Sequence, residues 1–209
     1  MRQISAGDAL VVVDMQRDFS SGGALAVPDG DAVVPIVNRL GRAFGTIVLT
    51  QDWHPAGHIS FASTHGQAPF ETLAAAYGTQ VLWPDHCVQG SEGAAFHPRL
   101  DLPSAQAIVR KGTHLHVDSY SGFLEADRVT PTGLGGYLRQ RGVERIFVAG
   151  LALDFCVAWT ALDGRGKGFE VVLIEDACRA IDLGGSLARA MADMAAAGVA
   201  VETSSALGL

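Results

Sequence analysis

Four nearly continuous apolar runs, rich in valine and isoleucine, recur at residues 9–13, 46–50, 145–148 and 169–174. A strand with one wet face alternates apolar and polar residues, so runs without alternation belong to strands covered on both faces, as in a parallel sheet. Shorter runs at 107–109 and 199–201 supply two further candidates. Helical patterns fall between them at 30–44, 132–141, 154–164 and 183–197, with Pro131 before the second, Gly142 closing it and Gly198 ending the last. Such alternation builds right-handed βαβ units. It predicts an α/β fold of three layers, α/β/α, with an open, six-stranded, mainly parallel sheet and helices on both faces.

With 209 residues, 48% hydrophobic and 18% charged, the chain suits one domain spanning 1–209. A domain of this size buries about 70% of the surface its unfolded chain exposes. The stretch 52–102 is irregular, with glycine, proline and histidine scattered through it. Loops that long in a compact domain usually build a site, so this region is expected to carry metal and substrate contacts. Lys+Arg number 15 against Asp+Glu 22, a net charge of -7, and no basic run interleaves with aromatics. Nucleic acid is therefore not an expected partner. The run at 9–13 is too short for a membrane span and lacks the shape of a signal peptide. Cys87, Cys156 and Cys178 form an odd set without CxxC spacing, which points to a reducing compartment. The expectation is a cytoplasmic protein without a membrane partner, with a homo-oligomer left open.

Asp14 follows the first apolar run, Lys111 follows 107–110, and Cys156 lies where the 145–148 run passes through Gly150 toward a helix. In a parallel sheet these positions share the carboxyl edge, where open α/β folds place ligands. A thiol at a helix start sits near unpaired N–H groups and the positive helix end, so Cys156 is expected to favour its thiolate and to act as a nucleophile. Asp14 would then serve as general base and later as acid, and Lys111 would hold that carboxylate ionised and lower the thiol pKa. The backbone N–H groups of Ala152 and Cys156 are candidates for an oxyanion hole. The plainer alternatives are a capping aspartate, a solvated lysine and a small buried cysteine.

Asp52 and His54, two residues apart in Gln51-Asp52-Trp53-His54, project together from extended backbone, and His86 lies farther along the irregular stretch. Asp and His of this kind, with water completing the shell, suit a divalent transition metal or zinc. Ser60 and His58 fall in or just outside that shell, and Cys87 is a lower-ranked soft ligand. His65, His97, His114 and His116 share no spacing with them and read mostly as surface or turn residues. Phe19, Trp53 and Trp83 lie near the charged residues and would flank a flat apolar substrate.

Taken in order, Val11-Val12-Val13-Asp14-Met15-Gln16-Arg17-Asp18-Phe19, Gln51-Asp52-Trp53-His54-Pro55, Trp83-Pro84-Asp85-His86-Cys87, Lys111-Gly112-Thr113, Asp118-Ser119-Tyr120-Ser121-Gly122-Phe123 and Gly150-Leu151-Ala152-Leu153-Asp154-Phe155-Cys156-Val157 resemble the isochorismatase-like cysteine hydrolases, and among them the nicotinamidases. The resemblance spans nearly the whole chain. It implies a triad of Asp14, Lys111 and Cys156, and a metal held by Asp52, His54 and His86 with Ser60 or His58 as a further contact. It also implies a cis peptide between Leu151 and Ala152 beside the oxyanion hole, and a substrate slot formed by Phe19, Trp83 and Leu151. The implied cofactor is one divalent ion, zinc before iron or manganese. The implied partner is a small aromatic amide, with nicotinamide hydrolysed to nicotinate and ammonia through a thioester and pyrazinamide also accepted. Competing expectations are an amidase of the same superfamily acting on a ureido or carbamoyl substrate, a metal-only hydrolase, and a non-catalytic binding or assembly module on the same scaffold.

Overall fold

The computed structural model describes residues 3–208. In chain order the elements are β1 (Asp8–Val13), α1 (Val34–Gly41), β2 (Thr46–Asp52), the one-turn helix α2 (Ala62–His65), β3 (Thr72–Ala75), β4 (Gly78–Val81), β5 (Ala107–Lys111), α3 (Leu134–Gln140), β6 (Arg145–Leu151), α4 (Ala158–Gly166), β7 (Glu170–Arg179), α5 (Ser186–Ala196) and β8 (Ala200–Glu202). Six strands form one sheet in the order β5-β2-β1-β6-β7-β8, and every neighbouring pair is parallel. The expected strands and the α/β layering are thus present. The antiparallel hairpin β3–β4 stands apart as a second, two-stranded sheet.

The lack of alternation in the apolar runs follows from two cores. Leu10 and Val12 face one core with Val34, Val37 and Leu40 of α1. Ala9, Val11 and Val13 face the other, with Leu134 and Leu138 of α3, Ala158 and Ala161 of α4, and Met194 of α5. Side chains on both faces of β1 are therefore out of water, and an unbroken apolar run from Ala9 to Val13 is what such a strand needs. At the sheet edge β5 relaxes this pattern, and Ile108 is 55% exposed.

Three differences from the sequence-based expectation have local causes. β7 runs on past residue 174 to Arg179, because a register shift opposite Val148 and Gly150 lets Cys178 and Arg179 pair with Gly150 and Leu151 despite the intervening Glu175 and Asp176. The helix expected from residue 154 begins instead with a widened, π-type turn at Leu153–Val157, in which Val157 N–H donates to Ala152 O at 3.1 Å before α4 takes over. The stretch 52–102 is less irregular than expected, since it contains α2 and the hairpin. It is tied to the body at its start, where Gln16 Nε2 donates to Asp52 O and Ala94 O, both at 2.9 Å, while Gln16 Oε1 accepts from Asp52 N–H at 2.8 Å.

Gly150 is required where it stands: its φ is 124°, and a Cβ there would run into the Val13 backbone of the neighbouring strand. Among the described residues no helix is long and apolar enough to cross a membrane.

At the amino edge of the sheet, Arg145 Nε and Nη2 donate to the buried Asp8 carboxylate at 2.7 and 2.8 Å, and Ser5 N–H donates to the same group at 2.6 Å. Although burial works the other way, these donors hold the Asp8 pKa below its ordinary value. A depressed carboxylate pKa contributes stability above the unfolded value and loses it as pH falls through the folded one. Asp8→Asn is expected to lower unfolding free energy at pH 7 by about 1.5–3 kcal/mol. In denaturant titrations that deficit should shrink as pH drops below about 4.

Candidate active site

The register of the parallel sheet gathers the candidate residues. Asp14 leaves the end of β1, Asp52 ends β2, Lys111 ends β5 as the partner of Asp52, and Cys156 lies in the turn after β6. All four belong to the carboxyl edge, and all are buried. The Lys111 ammonium donates to Asp52 Oδ1 and to Ser119 O, the latter at 3.0 Å, lies 2.8 Å from Asp14 Oδ2, and reaches Cys156 Sγ at 3.5 Å. Carboxylate oxygens of Asp14 and Asp52 and the Cys156 sulfur lie within 4.8 Å of one another. Thr50 Oγ1, which no sequence signal singled out, donates to Asp14 Oδ1 at 2.6 Å and so turns the other carboxylate oxygen toward Lys111.

The protonation states follow from burial and charge. Burial opposes the Lys111 charge, but Asp14 and then Asp52 outweigh it and hold the pKa well above its ordinary value. Burial raises the Asp14 pKa against the pull of Lys111. Burial also pushes the Cys156 thiol well above its ordinary range, with Lys111 opposing and the two carboxylates adding to the rise. The expected resting thiolate is therefore corrected. The sulfur is inside the protein and beside two negative charges, and one ammonium shared with both carboxylates does not offset that. Cys156 rests as a thiol, adjacent to a carboxylate able to take its proton.

The second cluster shares Asp52 with the first. His54 Nε2 and His86 Nε2 approach Asp52 Oδ2 at 3.5 and 3.8 Å, and the three ligand atoms fall within 4.8 Å of one another. His54 Nδ1 is 3.0 Å from Gly112 O, and His86 Nδ1 is 2.8 Å from Pro84 O. A carbonyl can only accept, so both Nδ1 atoms carry a proton and both Nε2 atoms are turned to Asp52. Burial and then the neighbouring His54 push His86 down to about 4, which leaves its ring neutral at pH 7, whereas Asp52 raises the His54 pKa against its own burial. An anionic oxygen converging with two imidazole nitrogens, each ring fixed by an outer carbonyl, fits a divalent cation of borderline softness, whose binding would displace any proton on His54 Nε2. Gly112 makes this packing possible, because it has a φ of 63° and a Cβ there would run into the His54 ring.

Ser60 and His58 are distinguished by the same logic. His58 Nε2 donates to Val117 O at 3.1 Å, so Nδ1 is the acceptor of the Ser60 hydroxyl at 2.7 Å. Both His58 nitrogens are thus hydrogen-bonded, while the Ser60 oxygen keeps its lone pairs, although His58 also groups with His54 and Asp118 as a potential ligand. Cys87 is buried but belongs to none of the potential metal-ligand groups among the described residues.

A narrow cleft opens beside Cys156, Asp52 and His86, walled by Phe19, Trp83, Tyr120 and Phe155 and reached by Ala152. The Trp83 and Phe155 rings meet edge to face at 5.0 Å. Two expected slot residues lie elsewhere. Leu151 is fully buried with a methyl turned toward Gly30, and Ala152 is the residue of the pair that reaches the cleft. Trp53 stacks under the Arg110 guanidinium at 3.9 Å. His97, read as a surface or turn residue, is buried against Asp31. Tyr120 and Phe155 were missed as wall residues, although both lie inside segments that carry the family resemblance. The peptide between Leu151 and Ala152 is cis, as that resemblance implies.

Comparison with known proteins gives a consistent answer. The isochorismatase domain matches residues 8–206. A nicotinamidase of Acinetobacter baylyi is 57% identical over 192 residues, covering 91% of this chain and 90% of that protein. The structure of PnC1 from L. infantum in complex with nicotinate superposes with a TM-score of 0.87 at 42% identity, covering 98% of this chain and 97% of that one. The pyrazinamidase of Pyrococcus horikoshii in complex with zinc gives 0.78 at 40% identity, covering 94% and 99%.

Replacing Lys111 by methionine leaves two buried carboxylates without their shared cation. Lys111→Met is expected to cost about 3–5 kcal/mol of stability at pH 7. Because a buried carboxylate freed of its cation binds a proton more readily in the folded state, the loss should diminish as pH is lowered toward 5, measured by urea unfolding across that range.

Proposed function

The chain belongs to the isochorismatase-domain family, and from that membership and the site geometry we propose that it hydrolyses nicotinamide to nicotinate and ammonia, and accepts pyrazinamide. The observation that carries this reading is the meeting of a thiol, a carboxylate and an ammonium with an Asp-His-His cluster at one end of a slot walled by aromatic rings. A flat ring with a polar atom on one side and a carboxamide on the other matches that layout. A ureido or carbamoyl substrate has no ring to fill the walls.

Asp14 is assigned as the base. As the Cys156 sulfur attacks the carboxamide carbon, the thiol proton passes to Asp14, and Lys111 stays protonated to balance the charge moving between them. The carbonyl oxygen becomes an oxyanion, for which the backbone N–H groups of Ala152 and Cys156 are the assigned donors. Asp14 then returns the proton to the departing nitrogen, ammonia leaves and a nicotinoyl thioester remains. Water, giving its proton to Asp14, attacks the thioester carbon, and collapse of that second adduct releases nicotinate and restores the thiol. The two carboxylates thus divide the work, with Asp14 moving the proton and Asp52 belonging to the metal-binding group.

The residues assigned to the metal are Asp52, His54 and His86, with Ser60 as the fourth protein contact and His58 behind it as the acceptor that orients the serine hydroxyl. Zinc is the proposed ion, in keeping with the donor set and with the zinc-bound pyrazinamidase relative. When bound, the ion supplies a Lewis acid that orients the pyridine nitrogen and polarises water in the slot.

Ammonia release from nicotinamide is the direct assay. Cys156→Ala and Asp14→Ala should each lose activity by about 10³-fold or more, and unchanged turnover in either removes it from its assigned role. Substantial activity in Cys156→Ala that chelation abolishes would favour a metal-only hydrolase. Elemental analysis should find one divalent ion per chain, lost in His86→Ala. Faster turnover of a ureidoacrylate-like or carbamoyl compound than of nicotinamide would overturn the substrate assignment.

A further inference from the structure

The hairpin β3–β4 is solvated along most of its length, and its one fully buried residue is polar. Gln80 is 1% exposed, whereas Gly78 and Thr79 beside it are open to water. Its side-chain amide is engaged on both ends. Nε2 faces Asp118 Oδ2 at 2.6 Å, Val81 O at 2.7 Å and the Tyr120 hydroxyl at 3.2 Å, while Oε1 accepts from the Tyr77 hydroxyl at 2.9 Å. Asp118 sets which way the amide points, since a carboxylate accepts from N–H and repels a carbonyl oxygen. Asp118 is itself held by Ser119 N–H at 2.8 Å.

The Tyr120 oxygen is where this network meets the cavity. It accepts from Trp83 Nε1–H at 3.0 Å and lies 3.2 Å from Gln80 Nε2, whose two hydrogens are shared among Asp118, Val81 O and this hydroxyl, so two donors fixed in the protein converge on it. Trp83 and Tyr120 form one wall of the slot, with ring centroids 6.4 Å apart and planes nearly perpendicular. Edge-to-face aromatic contact is soft to sliding, and a directional bond through one hydroxyl is not.

We propose that Gln80 is a specificity-determining positioning residue, which locks the Trp83–Tyr120 wall at the spacing of a flat ring and makes the hairpin part of the substrate slot. The proposal rests on the aromatic-amide reading above. It predicts that loss of the Gln80 amide loosens the fit of the ring far more than it slows the chemistry, because no atom of Gln80 reaches Cys156, Asp14 or Lys111.

The test measures KM and kcat for nicotinamide, and calorimetric affinity for nicotinate, in wild type, Gln80→Ala, Gln80→Met, Tyr120→Phe and the Gln80→Met/Tyr120→Phe pair. Gln80→Met keeps the buried volume and so reports on the amide alone even where alanine loosens the hairpin. For Gln80→Met, KM and the nicotinate Kd should rise roughly tenfold, the order of one buried hydrogen bond, with kcat falling less than about threefold. The double variant should be worse by less than the sum of the two single ones, since the Gln80–Tyr120 contact is lost in both. Thr79→Ala, exposed on the same strand, should match wild type. Unchanged KM and nicotinate affinity in Gln80→Met, a loss confined to kcat, or fully additive effects would overturn the proposal. Failure of the underlying reading looks different: the wild-type protein itself neither turns over nicotinamide nor binds nicotinate, and the proposal falls with it.

Discussion

The ammonium of Lys111 is what allows the rest of the site to exist. Asp14 and Asp52 are both buried at the carboxyl edge of adjacent strands, and two carboxylates that close repel each other in a medium that screens them poorly. A single cation lodged between them, with Ser119 O accepting a further hydrogen bond from it, makes their joint burial tolerable. Its place is set by backbone register: β2 and β5 pair Asp52 with Lys111, and β1 runs alongside β2 to deliver Asp14. Asp52 in turn joins two groups, one with Asp14 and the Cys156 sulfur and one with His54 and His86.

That arrangement explains why the thiol is not ionised at rest. A cysteine opposite one ammonium would lose its proton readily, but here the positive charge is already shared between two carboxylates, and burial disfavours any further anion. In the proposed mechanism proton loss is coupled to attack, with Asp14 next to the sulfur and its raised pKa suiting it as the acceptor. The widened turn Leu153–Val157 contributes by seating Cys156 at the foot of the cavity, between the end of β6 and α4. π-type turns of this kind are often found at functional positions.

Much of this was legible in the residues. The unalternating valine runs required strands covered on both sides, and once the sheet is parallel, Asp14, Lys111 and Cys156 must share an edge. The Asp52-Trp53-His54 spacing implied two ligands on one side of an extended segment, and the fold brings His86 to them. What was not legible depends on packing that no local pattern encodes. The protonation of Cys156 turns on how two carboxylates divide one cation. The hairpin buries a glutamine in place of an apolar stripe, so its strands carried no periodic signal. Leu151 and Ala152 could not be told apart as slot residues until the direction of the last residue of β6 was known, and Trp53 leaves the slot for the Arg110 guanidinium.

The account turns on sulfur forming an acyl bond with help from Asp14, and intercepting that bond tests it most directly. Wild-type protein mixed with nicotinamide, quenched in acid within the first turnovers and digested for mass spectrometry, should carry a nicotinoyl group on the peptide that contains Cys156, and the group should be absent when Asp14 is replaced by alanine. Rapid nicotinate formation with every Cys156 peptide unmodified at all quench times, or acylation that proceeds at the wild-type rate in Asp14→Ala, would contradict it.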